Sequence, residues 1–484
     1  MSDSIAAPGP GAETAAASAP RRDLLAVLRR PQTIRARCAA ITAAVADERS
    51  GWFRIDRSQL PAAAARVAAL TRSRFPDLRI PYHSRWRHFE AGGVDRKAEL
   101  DALLAPLSPA DRARAQFDLT VVSVLLDAGA GAQWQYREQQ SAPLPAAALP
   151  GQRVSRDDLM AMLDQAAASP APPQAEAASP AAGSAQPAQP APGPSYGRSE
   201  GLGVASFRAF VAGAFSADAN QPCRVDAAVL CQLDAAALRA MFQASPSNPL
   251  VGLEGRAGLL VRLGQALQAE AVRDGTPARP ALLFDRLTEG GTRSEVTAAD
   301  VLHHVLQALG PIWTSGSQVM GVTAGDVWPH RWAGAATGTA DEHTVSRGWV
   351  PFHKLSQWLS YSLLEPLQWA GITVTGLDAL TGLPEYRNGG LLIDAGVIVP
   401  RSATLFERRF KPADEAIVEW RALTVTLLDE LADAVRAELG VSAEQLPLAC
   451  VLEGGTWAAG RQIAAERRPG GGPPLVIDSD GTVF

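Results

Sequence analysis

Cysteine is scarce in this chain, and what little there is forms no pattern. Cys38, Cys223, Cys231 and Cys450 are scattered over 484 residues with neither a CxxC step nor Cys/His spacing. That argues against structural zinc and against a disulfide framework. An excess of one charge is missing as well. The 45 Lys and Arg residues are offset by 50 Asp and Glu, for a net charge of −5. Without a basic excess or a basic block there is no electrostatic case for nucleic acid or for an anionic membrane surface. No uninterrupted apolar run reaches the roughly 18 residues of a membrane-spanning helix. Met1–Pro20 also lacks the basic start and apolar stretch of a signal peptide. The cytoplasm is the expected location.

Familiar catalytic motifs are absent too. There is no GxGxxG behind a strand, no GxxxxGK[ST], no HExxH and no GxSxG. The seven histidines (83, 88, 303, 304, 330, 343, 353) lack metal-ligand spacing. The expectation is chemistry with neither metal nor cofactor.

What is present is an ordinary globular balance, 47% hydrophobic and 20% charged, enough for a sizeable core. Residues 1–20 read as a disordered tail. Residues 21–484 read as one large helical domain interrupted by a flexible Pro/Ala-rich insert at 167–194, whose composition cannot offset the entropy of ordering it. Helical patterns are expected over Ser199–Phe215, Val229–Phe242, Asn248–Leu267 and Trp349–Trp369, with Pro366 ending or kinking the last. The clearest is Asp414–Leu439, where Ile417, Trp420, Leu427, Leu428, Leu431 and Val435 form one stripe and Gly440 supplies the stop. Gly371–Val374, Leu391–Val399 and Leu475–Ile477 are β-prone, but no βαβ series appears. The fold class is mainly α with a few short strands.

Four segments combine polar and aromatic groups densely. Tyr82–Phe89 (YHSRWRHF) leads on to Phe117–Asp127 (FDLTVVSVLLD) and Trp134. Asp127 either lines a pocket with Trp134 or caps the turn that follows it. In Gly197–Leu202 (GRSEGL), Ser199 is a natural N-cap, and free amides beside Arg198 could hold an anion. In Pro351–Tyr361 (PFHKLSQWLSY), Lys354, Gln357 and Tyr361 fall at i, i+3 and i+7, on one helix face. That face suits a phosphorylated or polyhydroxylated ligand, or else meets solvent. Leu380–Gly390 (LTGLPEYRNGG) gathers Glu385, Tyr386, Arg387 and Asn388, for chemistry or as a Glu–Arg ion pair.

Gly197–Ser206 (GRSEGLGVAS), Asn248–Arg256 (NPLVGLEGR), Trp349–Leu364 (WVPFHKLSQWLSYSLL) and Leu380–Leu392 (LTGLPEYRNGGLL) resemble the signature stretches of a uracil-catabolism family of fungi and bacteria. The resemblance covers nearly everything but the tail and the insert. A more distant one is to the queuosine salvage family of nucleotide N-glycosidases. It rests on an apolar helix ending in Asp127 with Trp134 seven residues on, on the helix from His353 to Gln357, and on Leu380–Arg387. That likeness implies a helical DNA-glycosylase-like fold. The carboxylate of its last motif is Asp in that family and Glu385 here, with the same charge and one more methylene.

Together the resemblances imply hydrolysis of a C–N ribosyl bond, that of ribosylurea or its 5′-phosphate. Glu385 and Asp127 would be catalytic. Lys354, Gln357, Tyr361, His353, Arg198, Ser199, Trp134, Tyr386 and Arg387 would bind substrate. The expected partners are a small ribosyl or ribonucleotide-derived substrate and other enzymes of uracil degradation. The alternative is a non-catalytic ligand-binding or scaffold partner of the ring-opening enzyme.

Overall fold

The structure, a computed structural model, describes residues 25–127, 129–131, 133–138, 193–313, 316–334 and 346–478. The tail at 1–20 and all but the last two residues of the 167–194 insert lie outside them, as does His343.

The chain is mainly helical. Its longer helices, in order, are α1 Pro31–Ala46, α2 Leu60–Arg74, α3 Arg96–Leu104, α4 Pro109–Leu125 and α5 Arg198–Val211. There follow α6 Leu253–Asp274, α7 Ala298–Leu309, α8 Lys354–Trp369, α9 Tyr386–Asp394, α10 Glu415–Leu439 and α11 Trp457–Arg467. Strands occur in two-stranded pairs, among them Phe53–Ile55 antiparallel to Ile398–Pro400 and Glu295–Thr297 parallel to Thr373–Thr375. No described helix is long and apolar enough to cross a membrane.

These elements form two compact units. The first comprises Met1–Ser84 and Leu283–Phe484, the second Arg85–Leu282. In the first, α10 packs against α1 and α2, α9 against α11, and α7 against α8. The expected stripe of α10 is buried, and Gly440 ends the helix at φ 72°. Burial goes beyond the stripe, however, to Glu419 and Arg421, so the N-terminal half of this helix is enclosed on nearly every side. In the second unit α4 packs on α5, and the apolar run Phe117–Leu126 is buried throughout. Within that run Asp118 accepts from the amides of Val225 and Ala281 and pairs with Arg279 at 2.5 Å.

Three local expectations need correction. Val229–Phe242 is not one helix but two, Ala227–Leu230 and Ala235–Met241, because Asp234 caps the second by accepting from the Ala237 amide. The helix expected over Trp349–Trp369 starts only at Lys354, because Trp349–Pro351 pairs as a strand with Val327–Pro329, and Pro366 does not end it short of Trp369. The missing N–H of Pro366 removes only the one bond to the carbonyl four residues earlier, and the helix carries on for three residues past it. Leu391–Ile393 is helical, since Glu385 starts α9 ahead of it, and only Ile398 onward finds a strand partner.

The α9–α11 contact depends on one glycine. A Cβ on Gly460 would lie 2.4 Å from the Arg387 carbonyl oxygen. Gly460→Ala is therefore expected to destabilise the protein by about 1–3 kcal/mol through overpacking. Gly255→Ala in α6, where nothing lies within 4 Å of the added methyl, should be neutral or stabilising by up to about 1 kcal/mol. Urea midpoints of the two variants check the contrast.

Candidate active site

The first unit builds its site from a strand pair inward. Val327–Pro329 runs antiparallel to Trp349–Pro351 with Trp328 opposite Val350, which places Asp326 beside the start of α8. The Asp326 carboxylate accepts from the Lys354 amide at 3.0 Å and the Trp328 indole at 2.7 Å. It also takes both terminal nitrogens of Arg421, at 2.7 and 2.8 Å. Burial works to raise this carboxyl, but the Arg421 charge and hydrogen bonds hold it below the usual carboxylate range. Arg421 Nε donates to the Pro384 carbonyl at 3.2 Å, and its guanidinium lies 4.2 Å from the Phe352 ring centroid. One buried ion pair thereby ties the start of α8, where Lys354 stands, to the residue before Glu385.

Glu385 has extended backbone geometry and forms the N-cap of α9. Its two oxygens accept from the amides of Arg387 and Asn388, each at 2.6 Å. The side chain is buried, and burial pushes its carboxyl above the ordinary range. The amide bonds and the charges of Lys354 and His83 pull the other way. A buried carboxyl of raised proton affinity, still facing two cationic or protonatable groups, suits a general base or the stabilisation of a developing cation. Asn388 is itself fixed, by Thr456 Oγ1 donating to its side-chain oxygen at 2.9 Å.

A family model described as a protein of unknown function, DUF1688, matches residues 27–158 and 182–484. The chain belongs to this family. It is 34% identical over 440 residues to Protein urg3 of Schizosaccharomyces pombe, covering 89% of this chain and 92% of that one. It is 35% identical over 430 residues to Uracil catabolism protein 4 of Lachancea kluyveri, covering 84% of this chain and 85% of that one.

Within this DUF1688 chain several residues face other partners than those the sequence suggested. Gln357 and Tyr361 do share a face of α8, but it meets the chain at Thr381 and neither ligand nor solvent. Gln357 accepts from the Thr381 amide at 2.9 Å and donates to its hydroxyl, while the Tyr361 hydroxyl donates to the Thr381 carbonyl at 2.9 Å. Both are fully buried and hold the loop that leads to Glu385. His353 is buried in a left-handed conformation at φ 47°, its Nε2 3.0 Å from the Leu28 carbonyl. Burial lowers its proton affinity, so a neutral ring donating to that carbonyl anchors the start of α8. Tyr386 is half-buried beneath the Arg387 guanidinium, at 4.9 Å from the ring centroid. Arg387 donates to the Gly471 carbonyl at 2.8 Å, and it is the backbone amide of Arg387, not its guanidinium, that reaches Glu385.

Asp127, Trp134, Arg198 and Ser199 lie in the second unit. Asp127 pairs with the buried Arg85 at 3.1 Å. Its charge also acts on Arg256, whose guanidinium is lowered to about 10 by burial. Trp134 is a core residue whose indole donates to the Phe242 carbonyl at 2.9 Å. Ser199 is not the cap of α5. Gly197 takes that position, Arg198 follows exposed at φ 53°, and Ser199 falls within the first turn. Among the described residues no group of three or more His, Cys, Asp or Glu could hold a metal ion.

Asp326 and Arg421 were not singled out from the sequence, and Asn388 only as one member of the polar cluster around Glu385. Asp326 sits in an aperiodic stretch, and Arg421 reads as one more charged residue of a long helix.

Proposed function

We propose that this protein hydrolyses a C–N ribosyl bond in uracil catabolism, releasing urea from ribosylurea 5′-phosphate. The observation that carries the reading is Glu385, a buried, helix-capping carboxyl of raised proton affinity within electrostatic reach of Lys354. The relative from Lachancea kluyveri, Uracil catabolism protein 4, supports the pathway by its name. Opening a pyrimidine ring that is still attached to ribose leaves urea on the anomeric carbon, and some hydrolase must then split that bond. Cleavage passes through an oxocarbenium-like state with positive charge on the sugar ring. The Glu385 carboxylate offsets that charge and takes a proton from the attacking water. Lys354 holds the phosphate. Asp326 and Arg421 keep both in place. Residues of the second unit carry no part of this proposal.

Urea release from ribosylurea 5′-phosphate by the purified protein is the direct test. Binding of that compound with no release would put a non-catalytic ligand-binding role in its place.

Lys354→Ala has two expected effects. Loss of a charge-assisted bond to phosphate should raise KM by roughly tenfold to a hundredfold. The second effect follows from sign. The Lys354 charge lowers the proton affinity of Glu385, so without it burial acts less opposed. Glu385 then stays protonated to higher pH, and the acidic limb of kcat/KM moves upward. A limb that stays put, or moves down, counts against the pairing.

A further inference from the structure

His83 belongs to the polar segment Tyr82–Phe89, for which the proposed reaction has so far found no use. Its backbone amide donates to the Ala449 carbonyl at 3.0 Å. Its ring Nδ1 lies 2.8 Å from Glu453 Oε2. Glu453 is held in turn by Arg74 at the end of α2, which reaches its other oxygen at 3.0 Å and donates to the carbonyls of Glu453 and Gly454. Burial works to raise the Glu453 carboxyl, but the bond to His83 and the charges of His83 and Arg74 hold it below its ordinary range. The result is an imidazole oriented by a carboxylate through Nδ1, an arrangement that directs Nε2 toward other work.

The backbone beneath this pair is unusual. Leu452–Thr456 (LEGGT) forms a π-helical turn, a rare feature that occurs often at functional sites. Its two glycines let it press on α2. A Cβ on Gly455 would meet Thr71 Oγ1 at 2.6 Å and the Val67 carbonyl at 2.7 Å, and one on Gly454 would lie 3.2 Å from Thr71. One end of the turn presents Glu453 to His83. The other presents Thr456 to Asn388, whose amide donates to Glu385. A single five-residue turn therefore positions both the His83 imidazole and the first turn of the Glu385 helix. The two side chains also lie within electrostatic reach of each other.

We infer that His83 is the general acid of the C–N cleavage, with Glu453 and Arg74 as its positioning residues. The inference rests on the hydrolase reading above. In the step, the bond between the anomeric carbon and the urea nitrogen breaks and its electron pair stays on nitrogen. The nitrogen takes the proton from His83 Nε2. Water oxygen bonds to the anomeric carbon, and a water proton passes to the Glu385 carboxylate. Solvent exchange then returns a proton to His83 and removes one from Glu385. The charged groups around His83 among the described residues include Glu453, Arg74 behind it, and Glu385, and the Trp457 ring stands 6.2 Å from its own.

Two substrates separate an acid from a structural residue. Urea is a poor leaving group and needs the proton, whereas p-nitrophenolate leaves without one. His83→Gln should lower kcat for ribosylurea 5′-phosphate by about 10²–10⁴, yet change hydrolysis of p-nitrophenyl ribofuranoside 5-phosphate by less than about tenfold. Glu453→Gln, which keeps the imidazole but not the carboxylate that orients it, should lower kcat for urea release at least about tenfold more than kcat for nitrophenyl hydrolysis. Equal losses on both substrates, in the His83 variant or in the Glu453 variant, overturn the assignment and leave the hydrolase reading standing. If the His83 variant does not fold, the Glu453 comparison decides alone. Wild-type protein that cleaves neither compound removes the hydrolase reading, and this inference with it.

Discussion

Glu385→Gln is expected to lower kcat for urea release by about 10²–10³, roughly 3–4 kcal/mol of transition-state stabilisation, with KM little changed. The asymmetry has a physical source. Positive charge gathers on the sugar only as the C–N bond breaks, so the carboxylate interaction strengthens mainly in the transition state. Gln retains a side-chain oxygen able to accept from one of the two amides that now bind Glu385, so α9 keeps part of its cap. A modest loss of stability, up to about 1 kcal/mol, is the expected side effect. Steady-state kinetics together with calorimetric binding of ribosylurea 5′-phosphate check this. If the variant turns over at the wild-type rate, Glu385 is a helix cap and no more.

The largest expected effect on stability lies at Asp326 and Arg421. Both are buried, and their two bonds are 2.7 and 2.8 Å long. Arg421→Ala leaves Asp326 a buried carboxylate with only the Lys354 amide and the Trp328 indole as donors. It also strips the Pro384 carbonyl of its 3.2 Å partner. Removing one member of a buried pair typically costs about 3–5 kcal/mol, whereas exchanging both for apolar groups of similar size is often close to neutral. Arg421→Ala should therefore lower the denaturant midpoint strongly. The Asp326→Leu, Arg421→Leu double variant should lose much less than the two single losses combined. It should still lose activity, since Lys354 and Glu385 would no longer share an anchor. Strict additivity of the two single losses would show that the pair is not coupled.

Much of the architecture was legible in the residues themselves. The α10 stripe, its stop at Gly440 and the mainly helical class follow from apolar period and from backbone preference, which act over a few neighbouring residues. The same local logic failed where a competing local signal was overlooked. Asp234 divides one expected helix into two, and Glu385 draws Leu391–Ile393 into a helix despite their β-prone side chains.

The site was legible in part. Glu385 and Lys354 could be singled out because several chemically capable groups stand close together in sequence, and the structure does set them within reach of each other. Gln357 and Tyr361 show the limit of such reading. Their spacing correctly put them on one face, but a period cannot say what lies across from that face, and here it is Thr381. The same limit hid Arg421, whose partner Asp326 is 95 residues away, and His83, whose partner Glu453 is 370 away. Sequence alone thus determined the helical class and the position of the main core helix, since each depends on near neighbours, and it offered Glu385 only as a candidate for chemistry beside Asp127. Only the tertiary structure decided which polar groups serve the scaffold and which face Glu385, because a buried polar group takes its role from whichever distant partner satisfies it.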